Sequence, residues 1–314
     1  MVNKLRREIH YSEFEDKEKD SDWDVIKKPI ILTKKTIVAK SKNKIFDYFP
    51  ELKLNKAKKV ALVLSGGGAK GLGHVGVIKE LEKYDVQIDF ISGTSMGAII
   101  GAIYALEGNL DIIEKYINMN KKKLISLSDI SFSLKGLIKG RAIEDILSDL
   151  YGNSTFKDTK IPLVINAVDA HTGKEVVFRS GKIIDAVRAS MSIPVVFAPK
   201  NINGKIYVDG GVVNNAPYNH VPKSYKTVIV SNVNSKIPAL KKNASGIQYF
   251  MHFLAIMEHN ATHIPNDKRI IQVKPDMKNI YVGDFDKMKL AIKRGEIAAK
   301  HVLPRHLKKK KVRD

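Results

Sequence analysis

The chain has 314 residues, which fit one large domain or two small ones, and 44% of them are hydrophobic, enough for a sizeable packed core. It contains no cysteine, and this excludes disulfides, thiolate metal sites and a cysteine nucleophile. With 54 Lys and Arg against 33 Asp and Glu, the formal charge of +21 suits an anionic partner (nucleic acid, anionic lipid or an acidic substrate), and it equally fits a surface that is simply rich in lysine.

The first seven residues are followed by Glu8 and His10 and not by an apolar run, so no secretory signal is expected. The longest strongly apolar stretch, Met96 to Leu106, is too short to span a bilayer. The expectation is a cytoplasmic protein, at most peripheral to the inner face of a membrane. Residues 1–57 are dense in charges of both signs and hold the only tryptophan, Trp23. They read as an extension packing partly on a main domain that runs over residues 58–303. Residues 304–314 form a basic tail with Lys308 to Lys311 and Arg313, a frayed end that also suits an anionic lipid surface.

Within the main domain, Val60 to Leu64 is a continuous apolar run, as a strand buried on both faces requires. A glycine cluster follows, then Leu72, Val75, Ile78 and Leu81 recur at near-helical spacing. Ile88 to Ser92 reads as a second strand and Met96 to Leu106 as a buried helix. Asp111 to Tyr151 reads as mostly helical, with a Ser- and Gly-containing loop at Leu127 to Gly140. Strands are expected at Leu163 to Val168, Glu175 to Arg179, Ile206 to Asp209, Thr227 to Asn232 and Ile270 to Val273. Helices are expected at Ile183 to Ser190, Tyr249 to His259 and Phe285 to His301. This alternation predicts an α/β fold, a three-layer sandwich in which a mainly parallel central sheet is flanked by helices.

Three motifs carry chemistry. Gly93-Thr94-Ser95-Met96-Gly97 lies between a strand and an apolar helix. A serine hydroxyl becomes a nucleophile when a sharp turn presents it beside a base, and flanking glycines relieve the crowding of that turn. Ser65-Gly66-Gly67-Gly68-Ala69-Lys70-Gly71 follows the first strand, and its bare backbone amides can hold an oxyanion. The same residues also fit a dinucleotide fingerprint through Gly66, Gly68 and Gly71. That rival reading, an oxidoreductase, needs an acid at the end of the second strand, but Asp89 precedes that strand's apolar residues. Asp209-Gly210-Gly211 puts an acid at the end of an apolar strand, either as a base for Ser95 or as the opening of a structural turn. His74, His220, His252, His259 and His263 lie in no recognisable catalytic motif, and no cluster has metal-ligand spacing, so neither a metal nor a cofactor is expected.

In this order, the three motifs resemble those of the patatin-like phospholipase family, over roughly Lys58 to His301. Stretches around His74, Thr172-Gly173 and Arg188 to Pro199 are also similar. Asn214-Asn215-Ala216-Pro217 resembles the family's N-P-x-P segment with Asn in place of the first Pro. The resemblance implies a Ser95–Asp209 dyad without histidine, with an oxyanion hole at Gly66, Gly67 and Gly68. Lys70, Gly71, Gly93, Gly97, Gly210 and Gly211 take supporting positions, Lys70 either bracing the loop or meeting a lipid phosphate. The implied activity is hydrolysis of lipid acyl esters, of phospholipase A or lysophospholipase type, at a membrane surface and with no specific nucleic-acid partner. A catalytically inactive basic module that binds membrane or nucleic acid is the third reading.

Overall fold

A computed structural model describes residues 59–120, 140–237, 239–240 and 242–307. The expectations for residues 1–57, for most of the 127–140 loop and for the lysine cluster of the tail lie outside these residues.

The core of the fold is an eight-stranded sheet. Its strands are β1 (Val60–Leu64), β2 (Phe90–Gly93), β3 (Leu163–Asp169), β4 (Glu175–Phe178), β5 (Lys200–Ile202), β6 (Lys205–Asp209), β7 (Thr227–Ser231) and β8 (Ile270–Val273). The spatial order is β5-β6-β3-β2-β1-β7-β8, with β4 paired to β3. β1 runs parallel to both β2 and β7, so it is central, and its unbroken apolar sequence follows from burial on both faces. The β2–β3 and β7–β8 pairings are also parallel, while β3–β4, β3–β6 and β5–β6 are antiparallel.

The helices are α1 (Gly73–Lys83), α2 (Met96–Glu107), α3 (Asp111–Met119), α4 (Gly140–Tyr151), α5 (Ile183–Ser190), α6 (Gly246–Asn260) and α7 (Met288–Val302). α2 lies against β1, β2 and β3, and α5 against β3, β5 and β6. α1 packs against α7, which buries Met288, Ala291, Gly295 and Ala299, a stripe at helical spacing. The two backbones meet at glycines. A methyl group on Gly295 would stand 1.9 Å from the Gly73 carbonyl oxygen, and one on Gly76 would stand 2.0 Å from that of Ile292. None of the described helices is long and apolar enough to cross a membrane.

Several boundaries differ from expectation. β2 begins at Phe90 and not at Ile88, because Asp89 turns its carboxylate to accept the Val60 N–H at 2.8 Å. β5 is an unexpected strand; it is three residues long, polar and at the sheet edge, with no apolar run to betray it. The final helix starts with a single 3₁₀ turn at Phe285–Lys287 before α7 proper.

The strand registers bring distant loops to one level of the sheet. β3 serves as a ruler, since Gly93 at the end of β2 pairs with Ile165, and Asp209 at the end of β6 pairs with Ala167. Ser95, two residues beyond Gly93, therefore leaves the sheet at the level where Asp209 ends β6. The loops after β1, β2 and β7 all emerge at this same edge, the carboxyl end of the parallel strands, where α/β sheets form their crevices.

Candidate active site

Ser95 joins β2 to α2 with φ 53° and ψ −120°. This backbone region is strained for any residue with a side chain. The turn is held from all sides. The Thr94 N–H donates to the Leu64 carbonyl at 3.1 Å, the Gly97 N–H to the Thr94 carbonyl at 2.8 Å, and the Ser95 N–H to the Ser190 hydroxyl at 2.8 Å. The Thr94 hydroxyl donates to Asn166 Oδ1 at 2.7 Å. The flanking glycines are steric necessities: a methyl on Gly93 would lie 2.6 Å from the Gly97 carbonyl oxygen, and one on Gly97 2.3 Å from that of Leu64.

The glycine loop wraps over this turn. Gly68 has φ 53°, which favours a residue without a side chain. A methyl on Gly71 would lie 2.4 Å from Met96 Cγ, so this glycine lets the loop close onto the start of α2. The Gly66 N–H, expected among the oxyanion donors, is taken by the Asn215 carbonyl at 3.0 Å, which removes it from the donor set. Lys70 N–H closes back on Gly67 O, and Ala69 N–H is bonded to Val282 O. The N–H groups of Gly67 and Gly68 carry no such bond among the described residues. The Lys70 side chain is buried and its ammonium donates to Asn234 Oδ1. Burial holds its pKa below the ordinary lysine value, with the charge of Glu258 opposing.

Asp209 is 2% exposed. Its Oδ1 accepts the Gly211 N–H at 2.7 Å, while Oδ2 has no fully formed hydrogen bond. Its carboxyl is pushed up to about 7, first by burial and then by the charge of Glu258; the Ser95 hydroxyl and the Gly211 amide pull the other way. The Ser95 hydroxyl is thus near enough to act on the carboxyl, while Asp209 Oδ2 forms no full hydrogen bond. Gly210 sits hard against Asn166, whose carbonyl oxygen would be 2.8 Å from an added methyl.

No histidine among the described residues bonds to Ser95 or Asp209. His74 is fully buried between the Ser65 carbonyl and the Ser231 hydroxyl, 2.8 Å from each, and burial lowers its pKa to about 4, so the ring is neutral. His220 pairs with Glu175 at 2.8 Å, and His259 with the Asn234 carbonyl at 3.1 Å. The dinucleotide reading needed an acid at the end of β2; Asp89 instead precedes β2 and accepts the Val60 N–H at the start of β1, the end away from the glycine loop.

Ser95 opens onto a cavity of about 120 Å³ whose lining is almost wholly hydrocarbon. Met96, Ile99 and Ile103 line it from successive turns of α2, so it follows that helix for about 12 Å from the serine. Ile113 of α3, Ile146 of α4 and Phe197 complete the wall. α3 and α4 are therefore a boundary of the cavity as well as core.

Four partners of the site are not singled out by the sequence: Asn166, Ser190, Asn234 and Glu258. Ser190 lies within a stretch already similar to the family. Glu258 has a signal too, as the only acid in the apolar run of α6. Asn166 and Asn234 have none, because only tertiary pairing gives them a role.

A strand–serine turn–helix unit, a buried acid at the same sheet edge and a glycine loop beside an apolar cavity define an α/β protein built like a serine hydrolase. The patatin-like phospholipase family model matches residues 62–221, about half of the chain, and the chain belongs to that family. An uncharacterized NTE family protein of Mycobacterium tuberculosis is 35% identical over 164 residues, which are 52% of this chain and 45% of that protein. Lysophospholipase NTE1 of Candida albicans is 31% identical over 181 residues, 56% of this chain and 13% of the relative. The chain thus spans less than half the length of these curated relatives. Among solved structures, VipD from Legionella pneumophila shares the fold, with a TM-score of 0.51 at 15% identity over 79% of this chain and 67% of that one.

Proposed function

We propose that this chain is a serine hydrolase of lipid acyl esters, of phospholipase A or lysophospholipase type. The observation that carries the reading is the strained Ser95 turn facing a buried, elevated carboxyl at the mouth of a hydrocarbon cavity. Ionised Asp209 takes the Ser95 hydroxyl proton as Oγ attacks the ester carbonyl. The amides of Gly67 and Gly68 receive the developing oxyanion. Collapse of the tetrahedral intermediate expels the alcohol, which leaves with the proton held by Asp209. Water then attacks the acyl-enzyme and gives a proton to Asp209, which returns it to the Ser95 oxygen as the second tetrahedral intermediate collapses and the fatty acid leaves. The cavity along α2 receives the acyl chain during both steps.

Work at a membrane surface fits two further features. Tyr249, Phe253 and Met257 are exposed at four-residue spacing on α6, the helix that also sends Met251 into the cavity. The net charge of +21, with its basic tail, suits anionic lipid.

The test is activity-based labelling with a fluorophosphonate, followed by lipid profiling. Wild type should be labelled and Ser95→Ala should not. Labelling that survives in Ser95→Ala removes Ser95 as nucleophile. Protein that is unlabelled, turns over no ester and binds DNA in a salt-dependent way favours the inactive basic module instead.

A further inference from the structure

Behind the glycine loop lies a buried polar cluster that the proposed chemistry does not use. Lys70, Asn234 and Glu258 are 3%, 2% and 7% exposed. They come from three separate places: the loop after β1, the loop after β7, and the last turn of α6. Asn234 joins them. Its Oδ1 accepts from the Lys70 ammonium, and its Nδ2 donates to Glu258 Oε2 at 2.8 Å and to the Gly66 carbonyl at 3.2 Å. Its backbone is fixed as well, the N–H by Asn232 Oδ1 at 2.9 Å and the carbonyl by His259 Nδ1 at 3.1 Å. One side chain thus ties the glycine loop at both ends and holds a carboxylate.

That carboxylate borders the dyad. A methyl on Gly211 would stand 3.0 Å from Asp209 Oδ1 and 3.5 Å from Glu258 Cγ, so the two acids flank one small residue. Stability does not explain the arrangement, because buried charged groups are commonly no better than well-packed apolar side chains of the same volume. Electrostatics does. Two carboxyl groups that share a buried site resist ionising together.

We infer that Glu258, held by Asn234 and linked through it to Lys70, is a positioning residue of the active site, its charge acting across Gly211 on neighbouring Asp209. The inference rests on the reading of Asp209 as the general base. Neither Asn234 nor Glu258 falls within the segment that matches the family. The groups that face Asp209 are Ser95, the Gly211 amide and, across Gly211, Glu258; those that face Glu258 are Asp209, Lys70 and Asn234, and burial raises the Glu258 carboxyl while Lys70 and Asn234 pull it back. Burial and the Glu258 charge act on Asp209 in the same direction.

The experiment is the pH profile of kcat/KM on a soluble short-chain ester, for wild type, Glu258→Gln and Asp209→Asn. Gln keeps the shape of the side chain and an oxygen for Asn234. In Glu258→Gln the acid limb should move down by about one pH unit and the plateau should fall several-fold. A limb that stays in place overturns the inference, provided Asp209→Asn is inactive. Wild-type hydrolysis by Asp209→Asn overturns the base assignment itself, which is a separate failure. Should Glu258→Gln not fold, the ¹³C signal of the Asp209 carboxyl in the unaltered chain decides. A two-step titration shared with Glu258 is the expected result, and two independent single steps overturn it.

Discussion

Ser95 and Asp209 both store unfavourable free energy, and each does so by a different route. Ser95 keeps a positive φ of 53°, which costs about 1–3 kcal/mol for a residue with a side chain. Ser95→Gly should therefore raise the unfolding free energy by about 1 kcal/mol in urea titrations while it abolishes hydrolysis. Asp209 stores its cost in charge. Its folded pKa of about 7 lies above the ordinary aspartate value of 3.8, so between these values the folded chain binds a proton that the unfolded chain has released. This residue's contribution to stability is whole below pH 4 and is lost as pH rises through 7. Thermal melts should show Asp209→Asn gaining several degrees over wild type at pH 8, with the gain vanishing near pH 4. Over the same range, kcat/KM of wild type should rise with a midpoint near pH 7, because only the ionised carboxylate accepts the serine proton. At this scale the sequence is legible wherever chemistry demands a motif: Ser95, Asp209 and the glycines around them. It is not legible at Asn234, which has no motif and acquires its partners only when two loops and the end of α6 meet. The Gly66 amide departs from its expected role for a similar reason, since its partner is a carbonyl far along the chain, at Asn215.

The elements that hold the site are joined by close backbone approach. α1 carries the end of the glycine loop, and α7 packs on it through Gly73, Gly76 and Gly295. Gly295→Ala puts a methyl 1.9 Å from a carbonyl oxygen and leaves it no flexible side chain to displace. The cost should be about 3 kcal/mol by denaturant unfolding. Gly246→Ala, where nothing lies within 4 Å, should leave stability within about 0.5 kcal/mol of wild type. Element type is readable where periodicity is strong. β1 announces its burial by five apolar residues in a row, and α7 by its helical stripe. β5 is hidden because a short edge strand needs backbone pairing and not a hydrophobic pattern. The start of β2 is obscured because Ile88 is buried without being a strand residue.

For the molecule as a whole, charge and topology act together. A net +21 should draw the enzyme to anionic vesicles. Raising salt from about 0.1 M to about 1 M shortens the Debye length from about 10 Å to about 3 Å. Hydrolysis of phospholipid in anionic vesicles should then fall several-fold, while turnover of a short soluble ester stays level; equal losses would assign the salt effect to the active site and not to the surface. Fold class is legible from the alternation of strands and helices, but strand order is not. Nothing in the local pattern announces that β7, from residues 227–231, inserts beside β1.

That insertion has a consequence for timing. Ser95 is synthesised in the first third of the chain, its proposed base at residue 209, and the Asn234 and Glu258 beside the glycine loop and Gly211 later still. A chain stalled or cut before residue 209 carries the proposed nucleophile without its proposed base, and before residue 227 it lacks a neighbour strand for β1. On the proposed reading, chains cut before residue 209 should therefore hydrolyse no ester, and activity should begin only once the late strands have docked.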